Sequence, residues 1–143
     1  MLMGEYQNSI DAKGRVIVPA KFRDELGYKC VLTKGLDHCL YIYPMNQWEK
    51  LYASLAELPL SDTEARKFVR YIYGNAVECE VDKQGRINIP ASLREYAEID
   101  KDLVTIGVLE RVEIWSKQIY ENSENGANLD PAEFAAQMER YHI

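Results

Sequence analysis

One short sentence of residues occurs twice in this chain. Asp11-Ala12-Lys13-Gly14-Arg15-Val16-Ile17-Val18-Pro19-Ala20-Lys21-Phe22-Arg23 returns as Asp82-Lys83-Gln84-Gly85-Arg86-Ile87-Asn88-Ile89-Pro90-Ala91-Ser92-Leu93-Arg94, 71 residues later. Asp, Gly, both Arg, Pro and Ala recur in register while the polar residues between them vary, the mark of an internal duplication. The copy extends further. Thr33, Gly35, Leu40, Ile42, Tyr43 and Trp48 correspond to Thr105, Gly107, Val112, Ile114, Trp115 and Tyr120, with one residue added between Arg94 and Thr105. The units span residues 5–47 and 76–119, joined by a 48–75 connector and followed by a 120–143 tail. Each unit is only about 45 residues, close to the lower size limit for a self-supporting core. The two are therefore expected to fold against each other as one pseudo-symmetric α+β domain.

Each unit reads as hairpin, short helix, hairpin. Glu5 to Ile10 and Ala76 to Val81 show partial alternation and end at an Asp, and an Asp-x-x-Gly-Arg turn then leads back into Arg-Val-Ile-Val or Arg-Ile-Asn-Ile. Gly14 and Gly85 suit the positive φ of such a turn, and Asp11 and Asp82 suit acceptance of its N–H groups. Pro19 and Pro90 fit the first position of two-turn helices over Ala20–Leu26 and Ala91–Ala97, the first closed by Gly27. Second hairpins pair Cys30–Lys34 with Cys39–Tyr43, and Leu103–Val108 with Val112–Trp115, turning at Asp37-His38 and Glu110-Arg111. In the connector, a helix opens at Pro44 or Asn46 and runs to Leu55. A capping box at Ser61 to Glu64 then starts another, with Ala65, Phe68, Val69 and Ile72 at helical spacing. Its other face carries Arg66, Lys67 and Arg70, read first as solvated and second as a further phosphate contact. After a loop over residues 122–128, Asp130-Pro131 starts a terminal helix whose Phe134, Met138 and Tyr141 are placed to cover a neighbouring subunit.

The net charge of −6, from 17 basic and 23 acidic residues, argues against a polyanionic partner. Its distribution argues the reverse. Four basic residues (Lys13, Arg15, Lys21, Arg23) stand against one acid between Asp11 and Arg23, and three (Lys83, Arg86, Arg94) against one between Asp82 and Arg94. A tip bearing Lys13 and Arg15, repeated as Lys83, Gln84 and Arg86, matches nucleic acid: Arg bridges guanine or pairs with phosphate, Gln reads adenine, and a two-stranded ribbon fits the major groove. Each Asp lies four residues before its Arg, placed to hold the guanidinium at a fixed angle. The plainer reading is that Asp, Gly and Arg merely close a turn.

These motifs, followed by Glu113-Ile114-Trp115, resemble the two Asp-x-x-x-Arg repeats of the MraZ family, bacterial members of the SpoVT-AbrB superfamily. The resemblance covers nearly the whole chain. It implies a pseudo-two-fold swapped-hairpin β-barrel and a cytoplasmic, nucleoid-associated transcriptional regulator, most simply a repressor. Such a protein binds double-stranded DNA at repeated promoter elements of a cell-division and cell-wall gene cluster, as a ring homo-oligomer. Asp11, Arg15, Asp82 and Arg86 carry over by motif. Lys13, Gly14, Lys83, Gln84 and Gly85 join the DNA-binding set by position in the same loops.

Other chemistries are weaker. Asp11 and Asp82, brought together as paired carboxylates, would suit an acid hydrolase, but each has an Arg beside it, and no nucleophile set, Walker loop or dinucleotide fingerprint is present. His38-Cys39 with Cys30 is the most metal-like group, yet zinc wants about four ligands and only the distant His142 remains. No cofactor is expected. A ring-forming scaffold without DNA is the remaining alternative, favoured by ten tyrosines, Tyr41, Tyr43, Tyr71 and Tyr73 among them. Three cysteines without a Cys-x-x-Cys pair point to reduced, buried thiols. No apolar run reaches membrane-spanning length, and the first residues lack a signal-peptide pattern.

Overall fold

The structure, a computed structural model, describes residues 1–122 and 129–143. In the first repeat, strand β1 (Leu2–Ser9) leads through the Asp11–Gly14 turn to β2 (Arg15–Ile17), helix α1 (Ala20–Leu26), β3 (Lys29–Lys34) and β4 (Leu40–Pro44). Helices α2 (Met45–Ala56) and α3 (Thr63–Gly74) connect it to the second: β5 (Val77–Glu80), β6 (Arg86–Asn88), α4 (Ala91–Tyr96), β7 (Asp102–Leu109) and β8 (Arg111–Ser116). Helix α5 (Lys117–Asn122) follows directly, and α6 (Pro131–Met138) with a 3₁₀ turn over Glu139–Tyr141 lies near the C-terminus.

The repeats exchange their first strands. β1 pairs antiparallel with β7 of the second repeat, β5 pairs with β3 of the first, and the two repeats meet at β4–β8, in the sheet order β1-β7-β8-β4-β3-β5. β2 and β6 form a separate two-stranded ribbon. Equivalent residues of the two repeats face each other at two points, Tyr41 opposite Glu113 and Val16 opposite Ile87. A pseudo-two-fold axis passes through both.

This pairing corrects the reading of Asp-x-x-Gly-Arg as a plain hairpin. Only the tip closes on itself, through the Ile10–Val16 bridge and Asp11 N–H to Arg15 O at 3.0 Å, while its strands ladder with the other repeat. The strands among the described residues form a six-stranded antiparallel sheet and a two-stranded ribbon. Smaller differences have local causes. Pro19 and Pro90 cap α1 and α4 from outside the first turn, with extended ψ, rather than occupying its first position. Asp62, not Ser61, caps α3 by accepting Glu64 N–H, since its carboxylate reaches the same orphan donor. The β7–β8 turn falls on Leu109-Glu110, where Leu109 takes φ 61°, because Val108 pairs with Arg111.

The core is shared. Val16, Val18, Phe22, Leu26, Leu32 and Ile42 of the first repeat pack in one cluster with Ile87, Ile89, Leu93, Leu103, Val112 and Ile114 of the second. Alternation in β2 and β6 sends Val16 and Ile87 inward, which anchors the ribbon to this core. A second cluster on the other side of the sheet holds Cys39, Tyr41, Tyr43, Val104 and Trp115, against which Trp48 and Leu51 of α2 pack. There Glu113 is buried but satisfied, accepting from Trp115 Nε1 at 2.9 Å and Arg111 Nη2 at 2.8 Å.

All three cysteines are free and buried. Cys30 and Cys79 are register partners across β3 and β5 with Sγ atoms 3.2 Å apart, a meeting their spacing in the chain does not show. Of the connector's amphipathic face, Ile72 is buried while Phe68 is exposed. No residue of α6 is buried; the helix ends at Met138, so Tyr141 falls in the following turn and the three-residue stripe is interrupted. Asn122 belongs to α5, and the rest of the loop assigned to 122–128 lies outside the described residues. Among the described residues no helix is long and apolar enough to cross a membrane.

Candidate nucleic-acid interface

The two Asp-x-x-x-Arg turns are built alike to within a tenth or two of an ångström. Asp11 Oδ1 accepts the backbone N–H groups of Lys13 and Arg15 at 2.9 Å each, and Oδ2 accepts Arg15 Nε at 2.7 Å. Asp82 repeats this with Gln84 N–H at 2.9 Å, Arg86 N–H at 2.8 Å and Arg86 Nε at 2.9 Å. One carboxylate thus fastens the turn with one oxygen and aims the guanidinium with the other. Because Nε is the atom engaged in each ion pair, the guanidinium's far edge, with its terminal nitrogens, points away from the Asp. That edge is the bidentate donor that guanine or phosphate accepts.

Both carboxyls lie below the ordinary aspartate range. The largest cause is the backbone N–H of Arg15 or Arg86, against a weaker opposing desolvation, with the Arg side chain adding to the lowering. A folded value below the unfolded one contributes stability above the unfolded value of about 3.9, lost as pH falls through the lowered folded value. Carboxyl titration by NMR should therefore place both midpoints below ~3.9. Arg15→Ala should raise the Asp11 midpoint only in part, since the larger backbone contribution survives; full return to the ordinary range would show that the side chain dominates.

Gly14 and Gly85 are buried with φ of 82° and 80°, a backbone region that L side chains avoid. The space a side chain would need is already taken, and by the other repeat. The Arg94 guanidinium lies over Gly14, and that of Arg23 lies over Gly85. Arg23 is tied down by Nε donating to Val18 O at 2.8 Å. Two backbone bonds cross in the same sense, Val18 N–H to Gly85 O and Ile89 N–H to Gly14 O, both 2.8 Å. Each tip is thus a composite: Lys13 and Arg15 with Arg94, and Lys83 and Arg86 with Arg23. These second arginines were absent from the set read off the sequence. Their recurrence in both copies was the signal available.

The structure places all nine sequence-derived residues at these two turns, with Lys13, Lys83 and Gln84 exposed. It does not bring Asp11 and Asp82 together. Arg15 pairs with Asn88 and Arg86 with Ile17, so the turns leave opposite ends of an antiparallel ladder, and no proton-sharing dyad forms. Arg66 and Lys67 of α3 are occupied locally, by Leu60 O at 2.8 Å and Glu64 at 3.5 Å. The metal-like dipeptide divides: His38 stacks on Tyr96 at 5.3 Å, while burial pushes the Cys39 thiol up to about 12, unfavourable for a thiolate ligand. No group of three or more His, Cys, Asp or Glu placed to hold a metal occurs among the described residues.

A family model described as "MraZ protein, putative antitoxin-like" matches residues 1–71 and again residues 72–140. The chain is 54% identical over 143 residues, all of both chains, to a transcriptional regulator MraZ of Thermoanaerobacter sp. (strain X514). It is 52% identical over 139 residues, 97% of each chain, to one of Halothermothrix orenii (strain H 168 / OCM 544 / DSM 9562), and 57% identical over 122 residues, 85% of each, to one of Desulfitobacterium hafniense (strain DSM 10664 / DCB-2). These names are those of regulators, not of enzymes. With the twofold match falling on the two repeats that the fold interlocks, the chain belongs to the MraZ family.

Proposed function

We propose that this chain is a transcriptional regulator that binds double-stranded DNA through its two Asp-steadied arginine tips, acting as a repressor from a ring homo-oligomer on repeated promoter elements of a cell-division and cell-wall gene cluster. The observation that carries the reading is the duplicated tip: two arginines each aimed by an Asp, each tip completed by an arginine from the other repeat, on an otherwise acidic protein. Asp11, Lys13, Gly14, Arg15, Asp82, Lys83, Gln84, Gly85 and Arg86 form the contact set. Acid elsewhere on the body repels DNA and confines the attraction to the tips.

Assembly suits the energetics. Few phosphate contacts per subunit bind weakly at physiological salt, and linking several subunits on one face raises the effective concentration of each further contact. The six-stranded sheet ends at β1 and β5, whose outer edges have no strand partner among the described residues and are available for association. The cytoplasm and nucleoid are the compartments such a protein works in.

Footprinting on the DNA upstream of the protein's own gene, over a range of salt, tests the reading. Evenly spaced protected elements, weakening steeply with salt, are expected. Absence of protection even at low salt would overturn it.

A further inference from the structure

The outer face of the ribbon is alike in the two repeats at one position and unlike at the other. The pseudo-two-fold through Val16 and Ile87 carries Arg15 onto Arg86, and their burial matches. The same operation carries Ile17 onto Asn88, an apolar side chain onto an amide, and both are exposed. Because Arg15 pairs with Asn88 and Arg86 with Ile17, the outer face of the ribbon shows two rungs: Arg beside Asn, and Arg beside Ile.

We infer that Asn88 and Ile17 are base-reading, specificity-determining residues, which rests on the DNA-binding role proposed above. The chemistry of the two differs as base edges differ. An Asn amide pairs bidentately with adenine, and an aliphatic side chain packs on the thymine methyl. The rungs lie two residues apart along the strand, about 6.7 Å, close to two base-pair steps at ~3.4 Å each. Both side chains share the face of the two arginines, opposite the buried Val16 and Ile87. Folding gives neither an evident task. Asn88 Nδ2 reaches Lys13 O at 3.4 Å, the outer limit of a hydrogen bond, and Ile17 stands 53% exposed while its backbone carbonyl accepts Asn8 Nδ2 at 3.0 Å. The tips hold the backbone of the duplex, and the unequal rungs read unlike base pairs. A subunit of nearly two-fold shape thereby recognises an element that is not its own inverted repeat.

The test is competition binding at fixed salt, using duplexes of the protected upstream element with each base pair replaced in turn. Asn88→Ala should lower discrimination at one base pair about tenfold. Ile17→Asn and Asn88→Ile each make the outer face of the ribbon two-fold symmetric, and each should shift the preferred element toward an inverted repeat, with adenine and thymine exchanged between the strands in the two cases. Both positions are exposed, and thermal melting of each variant should match the wild type. Unaltered base preference in the three variants overturns the assignment and leaves the DNA-binding reading standing. Equal weakening across every duplex also overturns it, assigning these residues to backbone holding. If the wild type binds none of the duplexes, both readings fail.

Discussion

In the Arg15→Ala, Arg86→Ala double variant, affinity for the upstream duplex should fall at least about thirtyfold while the mass of any assembly stays the same. Each arginine presents a guanidinium edge worth about 1–3 kcal/mol when bidentate on a base or phosphate. Two of them lost together amount to at least ~2 kcal/mol, or about thirtyfold, and multivalent binding enlarges that figure. Folding should survive. Asp11 and Asp82 keep both backbone hydrogen bonds after truncation, so the turns remain fastened, and the carboxylates are partly exposed to water. Salt titration separates two roles. A lost phosphate contact reduces the salt slope by about one, whereas a lost base contact leaves it unchanged. Arg15→Lys retains charge but loses the planar fork and the Nε anchor to Asp11, and should fall between wild type and Ala. Affinity retained in the double variant would reduce the tips to turns.

Phe22→Ala and Leu93→Ala occupy equivalent places in the two repeats and should each destabilise the whole chain in one cooperative step. Phe22 is fully buried and meets Tyr6 edge-on at 5.3 Å; Leu93 lies in the same cluster. Truncation costs about 3–5 kcal/mol for the first and 2–5 kcal/mol for the second, against a domain stability of roughly 5–15 kcal/mol. Trp115 makes the claim of a single core testable, because it belongs to the second repeat and to the other face of the sheet from Phe22. At fixed protein concentration, Trp115 fluorescence read in a Trp48→Phe background and backbone circular dichroism should lose signal at one urea midpoint in Phe22→Ala. Two separated midpoints would show that the repeats unfold independently, against the exchange of strands described above.

Much of the candidate interface was legible because turn chemistry is local. An Asp that accepts N–H groups two and four residues on, and a Gly that supplies positive φ, act within five residues, so Asp11 to Arg15 and Asp82 to Arg86 declare their shape in the sequence itself. Helix limits followed from equally local cues: α1 spans the residues that its Pro and Gly flanks mark out, and α4 ends one residue short. Failures came where a choice depended on distant residues. Asp62 and Ser61 both qualify as caps for α3, and only the backbone path into the helix selects between them. The turn of β7–β8 moved by one residue because cross-strand register placed it. Arg23 and Arg94 recur as plainly as Arg15 and Arg86, yet nothing in their spacing reveals that each lies over the other repeat's glycine.

The sequence by itself determined the duplication, the elements within each copy, the geometry of the two turns and the clustering of basic charge at them. Only the tertiary structure decided which strand pairs with which. Two copies of nearly the same pattern offer β1 the choice of β3 or β7, and β5 likewise, with similar hydrogen bonds and side-chain alternation in either arrangement. Local propensity cannot separate alternatives that are locally alike. The chain takes the exchange that brings the apolar faces of both repeats into one core, because burial scales with the apolar area removed from water and a single ~45-residue unit removes too little. That exchange is what sets each arginine tip beneath an arginine of the opposite repeat.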